Sequence, residues 1–526
     1  MRDHVIAVDV GTGSARAGLV DRAGKLLARC EHPILMRRAD AEQAEHASED
    51  IWAACCKAVR MALAEAGMDS ARIAAIGFDA TCSLVLRDAN GAPLPLAKEA
   101  ETAFDTIAWM DHRAGSEAEQ CTATGHEAIK HSGRIMSPEM QMPKLMWLKR
   151  NRPDLWQRAG YIFDLADFLT WKATGTTSRS RCTLTAKWNF LAHKPSGWQD
   201  DFLAEIGLED LKRRGSLPDD TVAVGRPIAT LCGYAAEALG LDTDVVVAAG
   251  MIDAYAGALG VLGNAAGDPR QLDGQVAMIG GTSSCIIGFA AEPHHGTSIW
   301  GPYFEAVFAD LWLVEAGQSA TGGLLGHLLE LHSAGGGSAV ANHRAVIARI
   351  QELRKEQGDE FAEGIHILPD FHGNRSPFAD PNLTGVISGL TLDTSFDGLC
   401  RIYWRACVAI VLGLKQILDT LDKAGFSCDC LHLTGGHVKN PLLVELYADV
   451  TGIDVVIPQS DDAVLLGTAI NAAAAAGLYP SLTAAGSAMG PKGQRRAPNP
   501  ETARLYQRDY ARFLAMQRHR AELNSI

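Results

Sequence analysis

The stretch Val5-Ile6-Ala7-Val8-Asp9-Val10-Gly11-Thr12-Gly13-Ser14-Ala15-Arg16 joins an apolar run to a glycine-rich turn. A turn of the same kind, Gly281-Thr282-Ser283-Ser284, follows in the second half of the chain. The segments on either side of each turn are apolar and rich in β-branched residues, which predicts strands at 5–10, 15–21, 275–279 and 285–290. The sequence therefore predicts two β-hairpins, one in each half.

Such turns are suited to phosphate binding. Glycine lets the backbone approach a phosphate closely, and the neighbouring hydroxyl and amide groups can donate to its oxygens. Asp9 precedes the first turn, whereas Ile279 holds the matching position before the second. Only the first hairpin is therefore expected to carry a metal ion. Two ordinary tight hairpins are the alternative interpretation of the pattern.

The chain is long enough for two domains. Its 526 residues exceed what one hydrophobic core covers, and the polar segment 263–273 lies between the halves. Strands alternate with a helix predicted at 48–66, which indicates an α/β protein. We therefore predict an N-terminal domain over 1–263 and a C-terminal domain over 264–526.

Composition excludes several classes of protein. The net charge of −14 argues against a nucleic-acid-binding surface. No uncharged apolar run is long enough to span a bilayer, and we expect a cytoplasmic protein without membrane contact. The cysteines are scattered, and the spacing of Cys428 and Cys430 is not that of a zinc or redox site.

Two helix starts are predicted from acceptor side chains. Ser48, followed by two acidic residues, is expected to cap the helix at 48–66. Asp253 lies between a buried strand at 245–250 and a helix at 254–262, where the helix dipole is expected to keep its carboxylate ionised. Capping that helix is the alternative role for Asp253.

Four elements follow one another along the chain: Asp9 with its hairpin, Asp253, the second hairpin, and Leu433-Thr434-Gly435-Gly436-His437-Val438-Lys439-Asn440. This order resembles the FGGY carbohydrate kinases over nearly the whole chain. The resemblance implies two actin-like (ribonuclease H-like) ATPase domains with a cleft between them. Neither a Walker phosphate loop nor a dinucleotide-binding glycine turn is present, so the hairpins would hold the nucleotide.

The resemblance also implies ATP and Mg²⁺. Phosphoryl transfer needs an aligned hydroxyl, a magnesium ion and donors around the transferred group. Asp9 would anchor the magnesium, and Asp253 would be the catalytic base. The residues implied around the nucleotide are Asp9, Thr12, Gly13, Ser14, Arg16, Gly281, Thr282, Ser283, Gly435, Gly436 and Asn440.

The segment Trp109-Met110-Asp111-His112-Arg113 combines an aromatic face with an acid and a base, which suits a polyol. In the family a Trp-x-Asp-x-Arg motif at this place faces the sugar. Lys187 and Glu315 resemble sugar-site residues of L-ribulokinases, although solvated or salt-bridged side chains are the alternative. The predicted substrate residues are Thr81, Trp109, Asp111, Lys187, Asp253 and Glu315.

Segments 9–16, 137–144, 315–319 and 371–377 resemble the pentulose kinases, especially the ribulokinases. The sequence departs from the family pattern at Gln141, where a small or hydroxyl residue is common. Isolated histidines are usually structural, so those near the motifs are given no role: His112, His372 and His437.

We therefore predict an ATP-dependent kinase that phosphorylates the terminal hydroxyl of a pentulose, with D-ribulose favoured over L-ribulose, ribitol and xylulose. An actin-like or chaperone-like ATPase is the rival, but the residues after Asn440 leave no room for a peptide-binding module. A sugar-sensing regulator lacks a basic helix-turn-helix before the first hairpin. The predicted partners are a sugar and ATP, with a homodimer left open.

Overall fold

The computed structural model describes residues 2–38, 40, 42–97, 102–267, 269–358 and 360–526. The predicted boundary segment 263–273 includes position 268, which lies outside the described residues.

The strands, numbered along the described chain, are β1 His4–Val10, β2 Ser14–Asp21, β3 Leu26–Pro33, β4 Met36–Arg38, β5 Ala44–His46, β6 Ile73–Ala80, β7 Leu84–Asp88, β8 Thr106–Ile107, β9 Ala159–Asp164, β10 Pro227–Thr230, β11 Val246–Ala248, β12 Met251–Ile252, β13 Gln275–Gly280, β14 Ser284–Ala290, β15 Trp300–Phe304, β16 Trp312–Gln318, β17 His366–Leu368, β18 Val386–Ser388, β19 Cys430–Gly435, β20 Asp454–Pro458 and β21 Gly493–Arg496.

The α-helices are α1 Ser48–Glu65, α2 Gly115–Thr124, α3 Gln141–Asn151, α4 Pro153–Arg158, α5 Leu165–Thr174, α6 Arg181–Lys187, α7 Asp200–Glu205, α8 Leu211–Gly215, α9 Gly233–Leu239, α10 Asp253–Leu262, α11 Gly322–Leu331, α12 Val340–Gln357, α13 Phe396–Lys423, α14 Pro441–Thr451, α15 Ala463–Ala475, α16 Leu482–Met489 and α17 Ala503–Asn524.

Two large sheets repeat one arrangement. The first has the strand order β10-β11-β6-β1-β2-β3, with β12 also paired to β6, and the second has the order β15-β16-β14-β13-β19-β20-β21. In the first sheet, β1 forms a hairpin with β2 and runs parallel to β6. In the second, β13 forms a hairpin with β14 and runs parallel to β19. The predicted α/β class and the duplicated hairpins are confirmed, and the repeat is that of two actin-like, ribonuclease H-like halves.

Smaller sheets extend the two halves. A five-stranded sheet with the order β4-β5-β8-β7-β9 adjoins the first half, and the pair β17-β18 adjoins the second. Trp109 follows β8 of the five-stranded sheet. This sheet therefore positions Trp109 beside the first hairpin, where its indole contacts Thr12.

Two helices cross between the halves. Helix α10 packs against α15 and against β13 of the second sheet, while α15 packs against β1 and β6 of the first. Glycine makes this crossing close: a Cβ on Gly467 would overlap the carbonyl oxygen of Ala256, and one on Gly260 would overlap that of Ala463. The backbones of the two helices are therefore in direct contact where the halves meet. The boundary at 263/264 stays a prediction.

The predicted cap of the first helix is wrong. Helix α1 begins at Ser48 with Ala47 as its N-cap, and no side chain caps it. The Ser48 hydroxyl instead donates to Asp105 Oδ2 at 2.6 Å, and its backbone amide donates to Oδ1 at 2.9 Å. A buried carboxylate from another segment has thus taken over the role that local sequence assigned to the serine.

Among the described residues, no helix has the length and apolarity needed to cross a bilayer.

Candidate active site

Both predicted phosphate turns line one cleft between the two sheets. The cavity has a volume of about 800 Å³, and Thr12 of the first turn and Thr282 of the second both contribute to its wall. Gly281 and Thr282 are exposed to it, and Gly13 has open space where a Cβ would lie. The cleft has the size of a ligand-binding pocket, and glycine and hydroxyl residues approach it from both halves.

The second turn rests on a fixed support. Thr321 donates from its backbone amide to Thr282 O at 2.9 Å and from its hydroxyl to Gly281 O at 3.1 Å. The ring of His437 lies 3.1 Å from Gly281 O through Nε2 and 2.8 Å from the Tyr447 hydroxyl through Nδ1. Burial lowers the pKa of His437 to about 4, so the ring is neutral at neutral pH. Thr321 and His437 thus both contact the Gly281 carbonyl oxygen and fix the turn.

Behind the first turn lies a pair of buried carboxylates. Asp9 and Asp79 are partners in the parallel register of β1 and β6, and both are fully buried. Arg16 forms an ion pair with Asp9 without hydrogen-bond geometry, and both Asp9 oxygens and Asp79 Oδ1 lack a hydrogen-bond partner. Burial, reinforced by Asp253 and Asp462 and opposed by Arg16, raises the pKa of Asp9 to about 7. Buried oxygens without donors call for a cation or a proton.

These oxygens fit a magnesium ion of the kind that binds with a nucleotide. Among the described residues, no cluster of three or more His, Cys, Asp or Glu side chains is arranged to hold a metal by itself. Mg²⁺ at phosphotransfer sites takes one or two carboxylates and completes its shell with phosphates and water. Asp9 and Asp79 are fully buried and outside the cavity wall. Their oxygens lack hydrogen-bond partners, and such oxygens suit this smaller set.

Asp253 is the first residue of α10 and lines the cleft. Its Oδ1 accepts a hydrogen bond of 2.7 Å from the backbone amide of Ala254. That this carboxylate is ionised stays a prediction: the amide at the helix start lowers its pKa, as expected, but is not the largest contribution. Burial has the largest effect and raises the pKa of Asp253, although the Ala254 amide, Lys187 and Arg16 oppose it. A raised pKa makes Asp253 a stronger proton acceptor than an exposed aspartate.

Lys187 and Glu315 meet on the same side of the cleft. Lys187 Nζ donates to Glu315 Oε2 at 3.0 Å, and the Tyr255 hydroxyl donates to the same oxygen at 2.7 Å. Lys187 Nζ also lies 4.5 Å from the ring centroid of Trp300. Both charged side chains are nearly buried, so they are not solvated, but they are salt-bridged to each other, which was the other form of the alternative. The pair forms a polar, desolvated patch beside Asp253.

The Gly-Gly segment faces the other end of the cleft. Gly435 has a φ of +83°, and a Cβ there would overlap the carbonyl oxygen of Gly280. Gly435 and Gly436 line the cavity together with Lys439. Asn440 does not: it is buried and caps α14, with Oδ1 accepting from the amide of Leu442 at 3.1 Å. Asn440 therefore shapes the segment from behind.

In the motif at Trp109, the tryptophan lines the cleft, whereas Asp111 is buried inside the protein. Trp109 and Thr81 line the cleft, and Trp109 Nε1 donates to Thr12 Oγ1 at 3.0 Å. Asp111 is fully buried and is absent from the cavity wall. Its oxygens accept from the Ala44 amide at 2.7 Å and from Arg113 Nη2 at 2.7 Å. This placement gives Asp111 a structural role and does not favour the predicted contact with sugar.

Some residues at the site had no predicted role. Asp79 ends an apolar strand as Asp9 does, a signal that could have identified it. Glu139 and Arg375 lie within noted motifs, but nothing in the sequence pairs them, whereas they form an ion pair of 3.2 Å. Gln141, the departure from the family pattern, donates to Cys82 O at 3.1 Å and to Asp164 Oδ2 at 3.0 Å. Gln141 therefore fastens α3 beneath the cleft.

Comparisons with known proteins cover both halves. The N-terminal domain of the FGGY family of carbohydrate kinases matches residues 4–260, and the C-terminal domain of that family matches residues 276–476. The FGGY carbohydrate kinase domain-containing protein of Xenopus laevis is 40% identical over 542 residues, which cover 99% of this chain and 98% of that protein.

Two further proteins extend the comparison. A D-ribulokinase of Saccharomyces cerevisiae is 37% identical over 511 residues, covering 89% of this chain and 71% of that protein. The crystal structure of xylulose kinase from Rhodospirillum rubrum aligns with a TM-score of 0.81 at 23% identity and covers 99% of each chain. At that identity the likeness concerns the fold.

Proposed function

Because this chain belongs to the FGGY family of carbohydrate kinases, we propose that it transfers the γ-phosphoryl group of ATP to the terminal hydroxyl of a pentulose, with D-ribulose as the favoured acceptor. The observation that carries this proposal is the position of Asp253. Its half-buried carboxylate lines the same cavity as both glycine-rich turns, Lys187 and Glu315.

Asp253 acts as the base in the proposed reaction. It accepts the proton of the acceptor hydroxyl while the new oxygen–phosphorus bond forms and the bond to the bridging oxygen of ADP breaks. Its raised pKa suits this task, since a base is most effective when its pKa approaches the working pH.

The two turns hold the phosphates. Thr12, Thr282 and the exposed amides beside them donate to phosphate oxygens, and Arg16 supplies positive charge at the cleft wall. Asp9, with Asp79, would hold the Mg²⁺ that neutralises negative charge on the phosphates when it is bound. Gly435 and Gly436 leave room for the adenosine end.

The acceptor lies against Lys187, Glu315 and Trp109. Lys187 and Glu315 offer a donor and an acceptor to vicinal hydroxyls, and the indole of Trp109 offers an apolar face to the carbon chain. The relative from yeast is a D-ribulokinase, which supports D-ribulose. Relatives at 29% identity carry the name ribulokinase, which supports a pentulose but leaves its configuration open.

An acceptor screen tests the proposal. The protein is supplied with Mg-ATP and, in turn, with D-ribulose, L-ribulose, ribitol, D-xylulose and buffer alone, while ADP release is recorded. We expect the largest kcat/KM with D-ribulose and little ADP without an acceptor, because an open site would hydrolyse ATP wastefully. A higher kcat/KM for another acceptor would replace D-ribulose, and ADP release without any acceptor would contradict transfer to a sugar.

A further inference from the structure

A second chamber lies beside the cleft. It has a volume of about 790 Å³, similar to the about 800 Å³ of the cleft itself. Asp253, Lys187 and Glu315 line the cleft and not the chamber, whose lining includes apolar side chains such as Met110, Ile135 and Met136. The residues that line both spaces are Thr12, Trp109, Glu139, Thr282, Ser283, Trp300 and Arg375. Of these, Trp109, Glu139 and Arg375 are here called the partition.

The partition joins the two halves of the protein. Glu139 precedes α3 in the first half, Arg375 lies between β17 and β18 in the second, and Arg375 Nη2 lies 3.2 Å from Glu139 Oε1. The Arg375 guanidinium stacks on Trp109, with 5.2 Å between its Cζ and the ring centroid. His112 Nε2 also lies 3.6 Å from Glu139 Oε1.

Hydrogen bonds hold Trp109 and the segment that carries Arg375 in place. Trp109 is fixed by its hydrogen bond to Thr12, and Lys144 Nζ donates to Trp109 O at 3.2 Å. Beside Arg375, the Ser376 amide donates to Gly317 O at 3.2 Å, and the Gly317 amide donates to Ser376 Oγ at 3.3 Å. This ties Arg375 to β16, the strand that carries Glu315. The partition therefore has a fixed position relative to Lys187 and Glu315, which are proposed to bind the acceptor.

The partition stays charged at neutral pH. Burial raises the pKa of Glu139, but the more numerous contributions of Arg375, His112 and Lys187 lower it to about 2 overall. Arg375 is also kept protonated, since Glu139 raises its pKa against the effect of burial. The ion pair resists separation, because parting two partly buried charges leaves each without its partner.

Building on the proposed function, we propose that Trp109, Glu139 and Arg375 set the length of the acceptor. An acceptor whose terminal hydroxyl meets Asp253 and whose next hydroxyls meet Lys187 and Glu315 has its far end against this wall. A chain of five carbons ends there, while a chain of six or seven carbons needs space that lies only in the outer chamber. Arg375 and Glu139 are thus specificity-determining residues, not catalytic ones.

The test compares ketoses of five, six and seven carbons in matched variants. Arg375→Ala opens the partition, Arg375→Lys keeps the charge, and Glu139→Gln/Arg375→Gln removes both charges without leaving one unpaired. Arg349→Ala, at an ion pair with Asp397 on the surface, is the control. Circular dichroism and thermal melting establish that each variant is folded, and kcat and KM are measured separately for each ketose and for ATP.

We expect Arg375→Ala to raise the ratio of kcat/KM for the longer ketoses to that for the pentulose by roughly tenfold or more, mainly through KM. Arg375→Lys should restore most of the preference, the double variant should relax it, and the control should leave it unchanged. The KM for ATP should stay within about threefold in all of them.

If the ratio of kcat/KM for longer ketoses to that for the pentulose is unchanged in folded Arg375→Ala and in the double variant, the partition does not set the length of the acceptor. A loss that falls equally on all ketoses would lead to the same conclusion. If the wild-type protein phosphorylates no pentulose, the proposed function fails instead, so the two failures are distinguishable.

Discussion

Lys187 at the end of α6 and Glu315 in β16 are 128 positions apart, yet they form a nearly buried ion pair of 3.0 Å that joins the two halves. Removing one partner leaves the other charge buried and unpaired. We therefore expect Glu315→Gln and Lys187→Met each to lower the free energy of unfolding by about 3 kcal/mol. The double variant should lose clearly less than the sum, which urea denaturation of the four proteins will measure.

The same variants separate sugar binding from nucleotide binding. Glu315→Gln should raise the KM for the pentulose while the KM for ATP stays nearly constant, because Glu315 lies on the acceptor side of the cleft. Additive losses in the double variant, or an effect on ATP alone, would show that the pair does not act as a unit at the acceptor site.

Glycine at the crossing of α10 and α15 is required by contact between backbones. We expect Gly467→Ala to lower the free energy of unfolding by about 3 kcal/mol, because its Cβ would overlap the carbonyl oxygen of Ala256. Gly233→Ala is the matched control, since a Cβ on Gly233, at the start of α9, meets nothing within 4 Å. Equal stability of the two variants, by urea denaturation, would exclude a tight crossing.

His131 should make the protein less stable in acid. Burial, with smaller effects of His193 and His295, lowers the pKa of His131 to about 4 from its ordinary 6.5, although its hydrogen bond to Pro302 O opposes this. Between these values the unfolded chain binds a proton that the folded chain does not. The free energy of unfolding therefore falls as the pH falls from 6.5 towards 4, by up to about 3 kcal/mol from this residue.

Urea denaturation between pH 4.5 and 7 measures this slope. We expect His131→Gln, whose amide can still donate to Pro302 O, to flatten it in part, since His432 and His437 have pKa values similarly lowered by burial. His519→Gln, on the exposed side of α17, is the control. The same slope in both variants would remove His131 as a source of acid sensitivity.

The sequence predicted the fold best where a residue type strongly favours one kind of local structure. An apolar strand, a glycine turn and a second strand define each hairpin, and both hairpins formed as predicted because these preferences are local. The position of Asp253 at a helix start was predicted because the pattern of apolar residues changes at that point from that of a strand to that of a helix.

Prediction was weaker where partners come from distant segments. Asp105 takes the hydrogen bonds of Ser48, and Arg113 and the Ala44 amide take those of Asp111, so the capping role failed and the sugar role is not favoured. The partnership of Glu139 with Arg375 spans 236 positions and has no local signature. Burial likewise depends on the whole fold, so its effect on the pKa of Asp253 could not be weighed against that of the helix-start amide from the sequence.

The most direct test of the account is ADP formation by Asp253→Asn with saturating pentulose and Mg-ATP, alongside the dissociation constant for ATP. We expect kcat to fall by about 10³-fold while ATP affinity changes by less than about threefold, because the lost carboxylate meets the acceptor and not the nucleotide. Asp244→Asn, at an exposed aspartate paired with Arg2, should behave as wild type. Near-normal turnover by Asp253→Asn would contradict the assignment of Asp253 as the base.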